Sequence, residues 1–133
     1  MATTKIDPRD LEALPAAADL SEKQFFLVKI TEAGQIALAG AGDIAFALQD
    51  TPKQGQNGTF AVAGRCKAVS GTNIKAGVFV SAGANGKLVE ATPEVVTSEK
   101  IATRGTRAIG ISLEAGASGD VVAYRQIIPT GRA

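Results

Sequence analysis

The 133-residue chain has no histidine, no tryptophan, one cysteine and only six aromatic residues, five Phe and one Tyr. Each shortage excludes a class of function. Without histidine the commonest general base and metal ligand is missing. A lone Cys66 excludes an intramolecular disulfide and a cysteine-based zinc cluster. As a nucleophile it would need a neighbouring histidine base. No apolar run reaches the roughly 18 residues that a membrane helix requires. The opening Met1-Ala2-Thr3-Thr4-Lys5-Ile6-Asp7 lacks the apolar stretch of a signal peptide. The chain is therefore expected to be made in the cytosol and to have no membrane partner. Fourteen basic and thirteen acidic residues leave a net charge of +1, too balanced for a protein that lives on phosphate contacts. No nucleic-acid partner is expected.

Two motifs invite a chemical reading and fail their context. Gly40-Ala41-Gly42-Asp43-Ile44-Ala45 fits the GxGxxA phosphate fingerprint, but that loop works only between a strand and a helix. Here Ile44 to Leu48 alternates like a strand. Asn57-Gly58-Thr59 fits a glycosylation sequon, and without a secretion signal it reads as turn chemistry. Catalysis by carboxylates needs two that converge with separated pKa values, and the acids here fall mostly in turns and near the N-terminus. The expectation is a protein that is not an enzyme, with no cofactor and no metal.

What is abundant is small. The chain holds 24 Ala and 15 Gly, which bury little area each, so the core looks thin for a monomer and hints at an oligomer. Residues 1–23 differ from the rest, with five of the thirteen acids, two of the five prolines and no glycine. Asp7 as N-cap and Pro8 at the first helical position predict a short helix with Leu11 and Leu14 on one face, ended by Pro15. So short a helix is marginal alone. The segment reads as an N-terminal arm that orders where something receives it; a frayed end without a role is the plainer alternative.

Residues 24–133 read as a single β domain. Phe25 to Ile30, Gln35 to Ala39 and Ile44 to Leu48 are short strands, the last with its large residues on one face and Ala45 and Ala47 on the other. Asp50 to Gly58 is a loop. Across Thr59 to Val69, strict alternation puts Phe60, Val62, Gly64, Cys66 and Ala68 on one face, with Arg65 and Lys67 turned to solvent or a partner. Val78 to Ser81 and Lys87 to Ala91 flank Asn85-Gly86, a strong hairpin signal. Phe46, Phe60 and Phe79 sit mid-strand, where core packing is the expected use. Residues 92–106 read either as a short helix capped by Thr92 or as an extended loop. Arg107 to Glu114 predicts a strand with Ile109, Ile111 and Leu113 on one side, and Asp120 to Ile128 the last strand. Arg104, Arg107, Arg125 and Arg132 bias the C-terminal third towards positive charge, either as a solvated face or as a contact for an acidic protein surface. The fold class is all-β: a small barrel or sandwich with at most one or two short helices.

Three stretches in order carry a family resemblance: AFALQDTPKQGQ (45–56), GTFAVAGRCKAVSGTNIKAGVFVSAGANGKLVEA (58–91) and TRAIGISLEAGASGDVVAYRQI (106–127). Together they resemble the capsid decoration, or cement, proteins of tailed bacteriophages. The resemblance runs through residues 33 to 128, about 95 of the 133 residues, with 1–23 and 92–106 outside its pattern. It implies a compact β fold, a virion location on the outer capsid surface, the major capsid protein as partner, a homo-oligomer that is often a trimer, and no catalysis. On that footing the arm supplies the candidate capsid contacts: Ile6, Leu11 and Leu14 as apolar groups, Lys5 and Arg9 as charged ones. Removing residues 1–20 is then expected to weaken docking and leave the fold intact. A head-fibre base or tail-tube component is the runner-up, and a cytosolic β-barrel that binds a small ligand or peptide is a third reading.

Overall fold

The computed structural model describes residues 9–92, 95–97, 100–103 and 105–127, and it is an all-β antiparallel structure. Eleven strands follow in order: β1 (Arg9–Pro15), β2 (Leu27–Ile30), β3 (Ile36–Leu38), β4 (Phe46–Leu48), β5 (Asn57–Val69), β6 (Phe79–Ala82), β7 (Leu88–Glu90), β8 (Val95–Thr97), β9 (Lys100–Thr103), β10 (Gly110–Ser112) and β11 (Val121–Gln126). The main sheet runs β3-β2-β4-β5-β11-β10-β6-β7, with β1 added alongside β5 and β8–β9 forming a separate pair. Among the described residues a three-residue 3-10 turn, Ala84–Gly86, is the one helical element, and no helix is long and apolar enough to cross a membrane.

That turn closes the β6–β7 hairpin where Asn-Gly predicted it. Asn85 and Gly86 both take positive φ, 58° and 70°, the pairing a tight hairpin turn demands. Gly86 is required twice over, because a Cβ there would lie 2.7 Å from the Leu27 carbonyl oxygen. The close approach curls the sheet. Gly86 N–H donates to Ala39 O (2.8 Å) and Gly42 N–H donates to Ala82 O (3.0 Å). These bonds join the β6–β7 hairpin to the β3–β4 connection, so the two ends of the sheet meet around a common interior.

The curl gives the alanines their use. The concave face gathers Ala39, Ala45, Ala47, Ala61, Ala68 and Ala82 with Leu27, Cys66, Val80, Leu88, Ile109 and Tyr124. Small side chains fit a surface folded back on itself, and one large residue fills what remains. Tyr124 is wholly buried; its hydroxyl donates to Gln126 Oε1 (2.7 Å), and Gln126 Nε2 donates to Ala45 O (3.2 Å). Burial pushes the phenol well above its ordinary pKa, with Cys66 adding to the shift.

A second core lies on the opposite face of β2, β4 and the first half of β5. Val28, Ile36, Leu48 and Phe60 meet Ala16 and Leu20 there, with Leu14, Leu38, Phe46 and Val62 at its margin. The Phe46 and Phe60 rings stand 5.6 Å apart. The N-terminal segment is its cover. Ala16 N–H donates to Gln56 O (2.8 Å), Ala17 N–H to Ile36 O (2.8 Å) and Leu20 N–H to Pro52 O (2.9 Å). Residues 14–20 therefore belong to the packed structure, and a truncation meant to spare the fold has to end before Leu14.

Five expectations change. The helix begun at Pro8 is instead strand β1, running antiparallel to β5 with Leu11 opposite Ala61 and Leu14 opposite Gly58. A two-turn helix leaves most of its end groups unpaired, whereas the β5 edge pairs them. The strand also separates the two leucines, since positions three apart in a strand face opposite ways: Leu11 is exposed and Leu14 joins the second core. In β5 the alternation is broken. Its register with β1 passes from Asp10↔Ala63 to Leu11↔Ala61, a bulge at Val62, and Gly64 nearby takes φ +89°. One extra residue moves the side chains to the other face. Phe60 and Val62 thus face the second core, while Cys66 and Ala68 face the concave one.

Of the three residues expected on one side of the penultimate strand, Ile109 is buried, whereas Ile111 and Leu113 are exposed. The phase changes at Gly110, where a Cβ would collide with the Arg125 carbonyl oxygen. Phe79 likewise is exposed rather than core. Residues 92–106, read as helix or loop, contain strands β8 and β9, paired with Val95 opposite Thr103. The base of this excursion is pinned by Thr106 N–H on Thr92 O (2.8 Å) and Thr92 N–H on Thr106 Oγ1 (2.7 Å).

Candidate functional site

The convex face of the main sheet divides in two at Gly64. On the first half, β2, β4 and the start of β5, it is covered by residues 14–20. On the second half, the rest of β5 with β11, β10 and β6, no described segment covers it, and its side chains follow from the strand register. Arg65 stands opposite Arg125, Arg125 opposite Ile111, and Ile111 opposite Phe79. Directly opposed residues share a face, so these four form one row across four strands. A second row runs from Lys67 to Ala123 and on to Leu113, whose N–H donates to Ala123 O (2.9 Å). Val121 and Val69 pair beyond it.

The row is amphipathic along its length. Arg65, Lys67 and Arg125 are exposed at its β5–β11 end. At the β10–β6 end Phe79 is 51% exposed, Ile111 36% and Leu113 42%, while Val121, at 45%, lies on β11 opposite Val69. Four of the seven large exposed hydrophobic residues of the described chain thus gather on this one surface. The cations are not neutralised in place: among the described residues the one ion pair within 4.0 Å is Lys29–Asp43, at 3.8 Å. Glu114 flanks the patch in sequence, but its Oε1 accepts the Ala123 N–H (3.0 Å).

The strands under the patch are held by buried polar contacts. Ser112, beneath Ile111, donates its hydroxyl to Lys75 O and accepts the Val78 N–H (3.1 Å). Ser70 at the end of β5 donates to Ala117 O (2.6 Å). Every buried side-chain polar atom among the described residues has a partner. Among the described residues no three His, Cys, Asp or Glu side chains come together to hold a metal. The arrangement offers a surface for contact, and nothing on it pairs a nucleophile with a base.

The contact candidates read from the sequence land in different places. Lys5 and Ile6 lie outside the described residues, as does the Arg9 side chain, although the Arg9 backbone opens β1 opposite Gly64. Leu11 is 47% exposed on β1, and Leu14 packs on the second core. Of the groups singled out by charge, Arg65, Lys67 and Arg125 do come together. Phe79, Ile111, Leu113 and Val121 were missed. Their signal is cross-strand register with the cations, which no single strand reveals.

No protein-family model matches the chain, and no curated protein matches it in sequence. Among solved structures, the N base of the head fiber gp8.5 of bacteriophage phi29 is similar, with a TM-score of 0.61 and 15% sequence identity. The match covers 94% of this chain and 99% of that one. At that identity the likeness is one of fold.

Proposed function

We propose that this chain is a structural protein of a phage particle that binds the outer surface of the capsid and stabilises the shell as a decoration protein. The observation that carries the reading is the fold likeness to the phi29 head-fiber base across nearly the full length of both chains. The ordered features of residues 45–127 support the same assignment. In this reading the protein acts by binding rather than catalysis, with the major capsid protein as partner and a homo-oligomer, a trimer by the resemblance, as the docking unit. Copies seated between shell subunits bind the assembled shell and not the dispersed subunits, so linkage shifts stability towards the intact particle. Small contributions at many identical sites add.

That the structural neighbour is itself a head-fiber base favours a second reading, in which this chain is such a base. Copy number separates the two. The test is the ratio of this chain to the major shell protein in purified particles of the source phage, by quantitative mass spectrometry. A ratio near one supports decoration of the whole shell. A handful of copies per particle supports the fibre base. Absence from the particle overturns both, and leaves a cytosolic binding module as the reading to pursue.

A further inference from the structure

We infer that the uncovered half of the convex face, centred on Arg65, Arg125, Ile111 and Phe79, is the docking surface, and that its occupant is a protein surface bearing carboxylates beside apolar side chains. The identity of that occupant as the outward surface of the shell protein rests on the reading above; its chemistry rests on this chain. Charge complementarity is the first argument. Arg65, Lys67 and Arg125 are exposed without a carboxylate within 4.0 Å among the described residues, and arginine recognises carboxylates in two-pronged geometry.

The second argument is local conflict. Arg65 and Arg125 stand directly opposite each other in the ladder, and like charges so placed weaken a sheet. A sheet selected only to fold would put an acid at one of the two positions. An incoming carboxylate relieves both. The third argument excludes a phosphate backbone as the occupant. It would satisfy the cations and leave Ile111, Leu113 and Val121 in water, whereas the core of a protein interface buries such residues next to paired charges. The other half of the same face shows the outcome of coverage, since there Leu14, Ala16 and Leu20 close over Phe60 and Leu48.

The test uses the full chain and purified heads of the source phage assembled without it. Binding is measured by co-sedimentation for the wild type, Arg125→Glu and Phe79→Ser, with Tm and solution mass recorded for each. Arg125→Glu is expected to bind at least about tenfold more weakly while Tm holds or rises, because the new carboxylate faces Arg65. Phe79→Ser is expected to weaken binding with Tm unchanged, and wild-type binding to fall with added salt. If both variants bind as tightly as the wild type, this surface is not the docking face, and the virion reading still stands. If the wild type itself fails to bind the heads, that reading and this inference fall together. If Arg125→Glu instead breaks up a wild-type oligomer and leaves head binding unchanged, the occupant is a second copy of the chain and the inference is overturned.

Discussion

One convex face carries two unlike halves, and the contrast separates what holds this protein together from what it presents. On the β2–β4 half the face bears Val28, Leu48 and Phe60, all buried under the N-terminal segment. On the β11–β10–β6 half it bears Arg65, Lys67 and Arg125 beside Phe79, Ile111, Leu113 and Val121, all exposed. Both halves contain aromatic and aliphatic side chains. The difference is that one is covered by its own chain and carries no charge, while no described segment covers the other, which carries cations. Hydrophobic residues alone do not mark a core; coverage does.

The largest expected effect comes from uncovering the first half. Deleting residues 1–20 removes β1 and with it Leu14, Ala16 and Leu20, and should abolish the cooperative thermal transition rather than merely weaken binding. A truncated protein that melts like the full chain would show that the two halves do not differ in this way. Next in size is Phe60→Ala, which should cost about 3–5 kcal/mol through the cavity it leaves, read as a drop in the urea midpoint. The matched change on the other half, Phe79→Ala, should cost less than about 1 kcal/mol, because a half-exposed ring has little burial to lose. Equal losses would erase the contrast.

A pH effect of intermediate size probes the concave core beneath both halves. The raised pKa of Tyr124 means that the native state keeps its phenolic proton longer than the unfolded chain does. The associated stability is complete below the unfolded value of about 10 and falls as pH rises from there through the native value. Melts between pH 8 and 11 should show a steep alkaline loss that Tyr124→Phe flattens. That variant should also cost about 1–3 kcal/mol at neutral pH by orphaning Gln126 Oε1. The smallest effect is Arg125→Glu, expected to change stability by no more than about 0.5 kcal/mol, in the favourable direction, by replacing a like-charged cross-strand pair with an opposite one. A clear loss of Tm would mean that Arg125 is part of the fold rather than of the presented surface.

Much of the fold is legible strand by strand. The Asn85-Gly86 hairpin, the β5 strand with Arg65 and Lys67 outward, and the all-β class all follow from period-two patterns and turn residues. Legibility stops where a pattern depends on a partner. Strict alternation put Phe60 and Cys66 on one face, but the bulge at Val62, set by pairing with β1, sends them to different cores. Leu11 and Leu14 fitted a helix because i and i+3 share a helical face; pairing with β5 made the segment a strand and parted them. Ile111 and Leu113 fell with Ile109 on one side of a strand, and in isolation nothing distinguishes an apolar side that is buried from one that is offered.

By itself, then, the sequence determined the class of structure. Strand period, glycine turns and the absence of histidine are local facts, and local sterics and side-chain inventory suffice to read them. It also put Arg65 and Lys67 on the open side of β5, because a strand's two faces are fixed by its backbone. Only the tertiary structure decided that Arg125, Ile111 and Phe79 stand in the same row and that residues 14–20 cover one half of the face while no described segment covers the other. Those are outcomes of pairing between segments distant in the chain. A side chain's burial depends on which strand lies beside it, and that neighbour is chosen by the free energy of the whole sheet rather than by the residues next to it in sequence.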